Sequence, residues 1–98
     1  MVRVIYRWNV DPEHFEAFQA IWRKTTNQIH DTVEGALGSF LLRSVDDKKE
    51  VLTIAKWKSI DAWKSFWGKA NPEAMQAMRK LGVRVSAEAF EEMEDHTR

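Results

Sequence analysis

From Val51 to Trp67 a strand pattern runs into a helix pattern with only Lys58 and Ser59 between them. Val51, Thr53, Ala55 and Trp57 fall on one side of the strand, Leu52 and Ile54 on the other. Charge enters only near the end, at Lys56, so both sides read as covered. Ser59 is suited to cap the helix, and Asp61 stands in its first turn, where a negative charge favours the helix dipole. Ile60, Trp63, Phe66 and Trp67 then share one helical face. A chain with this junction must put a helix on one side of a sheet and find a cover for the other. With 98 residues it makes one domain, expected to span 1–98, and it is too short to cover both sides alone. A second copy of the sheet is the simplest cover, so a homodimer is the expected state.

The flanking segments complete the sheet. Val2, Val4, Tyr6 and Trp8 alternate with Arg3, Ile5, Arg7 and Asn9, which marks a first strand. Asp11-Pro12-Glu13 starts a helix, with Asp11 as N-cap and Pro12 at the first helical position. Phe15, Phe18, Trp22 and Ile29 form its apolar stripe, and it should end before Gly35. Gly35-Ala36-Leu37-Gly38 reads as the turn into a second strand, Ser39 to Ser44. Asp46-Asp47-Lys48-Lys49 reads as a hairpin tip before the third. Asn71-Pro72-Glu73 repeats the grammar of Asp11-Pro12-Glu13, so another helix is expected there, with Met75, Met78 and Leu81 apolar and Gly82 closing it. The last segment contains helix formers. Yet Val83 and Val85 alternate around Arg84, and Phe90 and Met93 suit a bulged strand; topology needs a strand here. The order is then βαββαβ, a ferredoxin-like α+β arrangement with an antiparallel sheet and helices on one face.

Fifteen Lys and Arg balance fifteen Asp and Glu. That removes the usual electrostatic reason to expect a nucleic-acid or acidic-membrane partner. The absence of cysteine excludes disulfides and thiol chemistry. The charged, alternating first strand is not a signal peptide, and no apolar run approaches a membrane span, so the cytoplasm is the expected compartment. His14 and His30 stand too far apart on one helix to share a metal, His96 lies in a polar tail, and no metal site is expected. There is no glycine-rich phosphate loop. No histidine stands at a recognisable spacing from Ser59 or Ser65, so a hydrolytic triad has no support. The Glu88, Glu91, Glu92, Glu94, Asp95 cluster reads as a solvated tail, with docking to basic residues of a partner subunit as the alternative.

Three stretches carry a resemblance. They are Val4-Ile5-Tyr6-Arg7-Trp8-Asn9, Glu34-Gly35-Ala36-Leu37-Gly38-Ser39 and Trp57-Lys58-Ser59-Ile60-Asp61-Ala62-Trp63. In their order and spacing, as far as Gly68, the chain resembles the antibiotic biosynthesis monooxygenase superfamily, the small dimeric α+β barrels. The resemblance implies a homodimer whose two sheets close a barrel, with a cavity between each sheet and its own helices. One branch oxygenates quinol-like polycyclic aromatics with no metal or flavin. It pairs a strand-end Trp with an Asn four residues earlier and a Tyr six residues later. Trp57 matches the Trp, while Thr53 and Trp63 occupy the other two places. Another branch binds and degrades haem, using an Asn on the first strand, a Trp on the second helix and a His beyond it. Asn9 matches the first, and Phe66 or Trp67 approximates the second. Glu73 to Lys80 contains no His, which leaves Met75 and Met78 as the nearest candidates.

The leading expectation is a small monooxygenase that needs no cofactor and acts with O2 on an electron-rich, quinol-type aromatic. Its candidate catalytic residues are Asn9, Trp57 and Trp63. Arg7, Trp22, Thr53 and Trp67 are candidates for binding the substrate. The sheet side bearing Asn9, Thr53 and Trp57 is expected to face Phe18, Trp22, Trp63 and Trp67 across a gap. Thr53 and Ala55 are small there, where a pure packing face would carry Leu or Ile. Arg7 would bind an anion or pair with Glu13 or Asp11. One alternative is a haem-binding or haem-degrading protein. The other is a non-catalytic ligand-binding or assembly module whose tryptophans fill its own pocket.

Overall fold

Alternation of apolar side chains along the first strand decides which face of the sheet turns inward. In the computed structural model, which describes residues 1–69 and 76–97, β1 is Val2–Val10. A 3-10 turn, Pro12–His14, follows and leads into α1, Phe15–Thr32. Then come β2, Ala36–Arg43; β3, Glu50–Trp57; α2, Ile60–Lys69; and β4, Gly82–Glu91. The sheet order is β2-β3-β1-β4, and every adjacent pair is antiparallel. This is the ferredoxin-like α+β arrangement, with β3 and β1 at the centre of the sheet.

Val2, Val4, Tyr6, Trp8 and Val10 are all buried, and Arg3, Ile5, Arg7 and Asn9 point to the other face. The β1–β3 ladder pairs Val2 with Trp57, Val4 with Ala55, Tyr6 with Thr53 and Trp8 with Val51, so these share the inner face. Trp8 packs edge-on against Phe18 of α1 at 5.1 Å between ring centroids, and Phe18 is completely buried. The indole N–H of Trp8 donates to Thr53 Oγ1 at 3.1 Å, which satisfies this buried donor.

Local chemistry sets the connections. Asp11 accepts from the Glu13 amide at 3.2 Å and caps the turn that Pro12 begins. Ser44 accepts from the amides of Asp46 and Asp47, and Asp47 accepts from that of Lys49, which closes the β2–β3 hairpin. Gly35 stands at φ +86°, and a Cβ there would lie 2.7 Å from Ala62 Cβ. Only glycine permits both that conformation and that approach of α2. Gly38, at φ +106°, marks a bulge: Ala36 pairs with Trp57 and Ser39 with Ala55, leaving one residue extra. The stretch read as a turn thus already belongs to β2.

The expected start of a helix at Asn71-Pro72-Glu73, with Met75, lies outside the described residues. Residues 76–79 are helical, and Met78 is buried in the core. Gly82, read as closing that helix, is the first residue of β4. β4 is bulged at Val85 and not near Phe90, and Met93 lies beyond it: Arg7 pairs with Ser86 and Trp8 with Arg84, which leaves Val85 unpaired.

The outer face carries no helix among the described residues. Phe40, Leu42, Val83 and Phe90 are exposed there or at its edge, around the part-buried Ile5, Leu52 and Ile54. Arg7 pairs with Glu88 across the strands at 3.4 Å rather than with Asp11 or Glu13. Arg3 pairs with Glu92 at 2.6 Å and approaches Asp95 at 3.8 Å, so part of the acidic tail is docked on its own sheet.

Candidate functional site

Small residues on the inner face leave a gap under α1. Ala36, Gly38 and Ser39 of β2 and Thr53 and Ala55 of β3 form its floor. Trp22, Thr25, Thr26, Ile29 and His30 of α1 form the roof, and Trp57, Phe66, Tyr6 and Met78 close it. The cavity has about 50 Å³. That holds a few waters; one benzene ring needs roughly 150 Å³. The asymmetry between small Thr53 and Ala55 and large Leu52 and Ile54 does coincide with the gap.

The nominated residues divide into three groups. Thr53, Trp57 and Trp22 meet at the cavity. Trp63 and Trp67 stand behind Tyr6 and do not line it. The Trp63 indole N–H donates to Tyr6 Oη at 3.0 Å, and the two indoles lie 5.5 Å apart. Trp67 stacks on Tyr6 at 5.8 Å, and the Arg84 guanidinium covers Trp67 at 4.6 Å from the ring centroid. Asn9 and Arg7 are exposed on the opposite face of the sheet. The expectation that Asn9 shares a side with Thr53 and Trp57 is therefore corrected. Asn9 pairs in register with Glu50, and Thr53 with Tyr6. The charged row of β1 goes outward because its apolar row has the larger burial gain.

Trp22 and Trp57, which both line the cavity, each bury their indole N–H. Trp22 Nε1 and Trp57 Nε1 are both buried with no hydrogen-bond partner among the described residues. An unpaired buried N–H costs about 1–3 kcal/mol. Trp57 is fixed by Phe66 at 5.3 Å between centroids. Burial pushes the Tyr6 hydroxyl up to about 12, against the opposing effects of the Trp63 hydrogen bond and the Arg84 charge. Burial likewise lowers Arg84, helped by the nearby charge of Arg79 and opposed by Tyr6.

Several lining residues escaped the sequence reading, among them Thr25, Thr26, Lys56, Tyr6 and His30. Tyr6 looked like one more member of an apolar row, although that row was itself the signal for the inward face. His30 falls on the α1 face that roofs the cavity, one residue after the recognised core position Ile29. Among the described residues no three His, Cys, Asp or Glu side chains are grouped to hold a metal. No described helix is long and apolar enough to cross a membrane.

Comparison with curated proteins returned no match. Solved structures give the same fold at low identity. SnoaB from Streptomyces nogalater, a cofactor-independent oxygenase solved as a point mutant, matches with 20% identity and TM-score 0.79, covering 99% of this chain and 97% of its own. A candidate antibiotic biosynthesis monooxygenase from Deinococcus radiodurans matches with 15% identity and TM-score 0.78, covering 100% and 98%. One from Caulobacter crescentus matches with 20% identity and TM-score 0.79, covering 95% and 90%. The family model for antibiotic biosynthesis monooxygenase matches residues 1–81. With that match over most of the chain, and a βαββαβ sheet beneath it, the protein belongs to the antibiotic biosynthesis monooxygenase family.

Proposed function

We propose that this protein is a cofactor-independent monooxygenase of an electron-rich, quinol-type aromatic, working in the cytoplasm as a homodimer. The observation that carries the reading is the pair of unpartnered indole N–H groups, Trp22 and Trp57, beside an apolar cavity. They suit a flat ring that bears oxygen acceptors. Trp57 and Phe66 offer faces for stacking, and Thr53 adds a hydroxyl. Membership of the family and the likeness to an oxygenase that needs no cofactor support the same choice.

The chemistry asks little of the protein. Loss of a proton gives the substrate anion, which reduces O2 directly. At a ring CH2, one oxygen atom becomes the carbonyl and the other leaves as water with the two displaced hydrogens. The pocket stabilises the anion and excludes water. His30, lining the cavity, is the candidate proton acceptor. The cavity must widen to take a ring, and Trp22, part-buried on α1, is the wall that yields. The exposed Phe40, Leu42 and Phe90 on the outer face mark the surface that a second copy covers.

An oxygen electrode tests the activity with a panel of dihydroxynaphthalenes and anthrones, chelator present and no flavin added. Uptake of one O2 per substrate oxidised is expected, with Trp57→Phe at least about tenfold slower. No uptake above background across the panel would refute the reading. A haemin titration separates the haem-binding alternative: no Soret shift is expected.

A further inference from the structure

We propose that Tyr6 donates the hydrogen bond that holds the anionic oxygen of the ligand in the cavity, and that Trp63 is its positioning residue. This deepens the oxygenase reading by naming the group that meets the substrate oxygen. Tyr6 is the chain's single tyrosine and lines the cavity from the middle of β1. Its oxygen already accepts the Trp63 N–H at 3.0 Å. A phenol also carries one proton to give, and no described residue accepts it. Stacking on Trp67 and the hydrogen bond from Trp63 hold the ring and the oxygen in place from two sides.

The neighbour across the ladder repeats the arrangement. Thr53 pairs with Tyr6 in register, lines the same cavity, and accepts the Trp8 N–H on its own oxygen. Two residues paired in the ladder therefore each carry a hydroxyl that accepts an indole N–H and has a proton left over. The phenol is the more acidic of the two, so it makes the stronger bond to an anionic oxygen. A phenol keeps its proton through the neutral range, and burial holds it more firmly, so Tyr6 acts as a donor and not as a base.

The test uses 4-nitrophenol, at a pH where it is the coloured phenolate, and nitrobenzene as the analogue without the oxygen. Wild type should bind the phenolate more tightly than nitrobenzene. Tyr6→Phe should lose about tenfold in phenolate affinity and nothing for nitrobenzene, and Trp63→Phe about threefold. A second readout needs no variant: with 3-fluorotyrosine incorporated, the single 19F resonance should shift with 4-nitrophenolate and stay put with nitrobenzene. An unchanged ratio in Tyr6→Phe, or an unmoved resonance, overturns the proposal, even if Tyr6→Phe melts at a lower temperature as a structural Tyr6–Trp63 bond alone would cause. If that happens while wild type consumes O2 with an anthrone, this inference fails and the oxygenase reading stands. If wild type binds neither probe and consumes no O2, both fail.

Discussion

Indole N–H groups organise the inner face residue by residue. Trp8 and Trp63 each end on a hydroxyl, while Trp22 and Trp57 end on nothing among the described residues. Thr53→Val should cost about 1–3 kcal/mol, because it strands the buried Trp8 N–H without changing side-chain volume much. Urea unfolding measures it. Tyr6 makes a second prediction. Between pH 10 and about 12 the unfolded chain has lost its phenolic proton while the folded chain keeps it. The unfolded state then binds fewer protons, so stability falls as pH rises through this window, by on the order of 2–3 kcal/mol. Tyr6→Phe should show a shallower fall over the same range in urea titrations. At this scale the site was only half legible. Thr53 and Trp57 follow from the side of β3 they share. Asn9 and Arg7 did not, because strand alternation gives two sides and a resemblance suggested the wrong one. Trp63 read as a place where a phenol was missing. Its partnership with a tyrosine on β1 is a contact between distant segments that no local pattern contains.

Elements were more legible, since caps, breakers and periodicity are local. Asp11-Pro12 and Ser59-Ile60-Asp61 begin their helical segments, and Ser59 Oγ accepts the Ala62 amide at 3.1 Å. β4 was inferred from topology rather than propensity, and sheet pairing with β1 as far as Glu91 explains why it overrides the helix formers of Ser86 to Glu94 there. The β2 bulge was read as a turn because Gly38 carries the same signal in both. Gly35 supplies the sharpest test of element packing. Gly35→Ala combines a strained φ with a clash against Ala62, so a loss of about 2–4 kcal/mol is expected. That corresponds to a fall of roughly 10 °C or more in melting temperature. Adding Ala62→Gly should recover the steric part and leave the backbone part, which a double-mutant comparison of melting curves separates.

The molecule as a whole shows one finished face and one unfinished face. Helices bury Val4, Val10, Val51 and Phe18 completely, whereas Phe40, Leu42 and Phe90 remain close to half exposed. If a second copy covers that face, light scattering should give about twice the chain mass of 11.5 kDa. Leu42→Lys should shift it toward the single-chain mass by burying a charge at the contact. On the inner face, the small space beside Trp57 is the proposed meeting place of O2 and an aromatic substrate. The most direct measurement is the mass spectrum of the product formed from 1,8-dihydroxyanthrone under 18O2, with chelator present and no flavin. One labelled oxygen atom in the product, formed faster than in a protein-free control and slowed by Trp57→Phe, is the predicted result. A product without label, or a rate that Trp57→Phe leaves at the wild-type value, would contradict it.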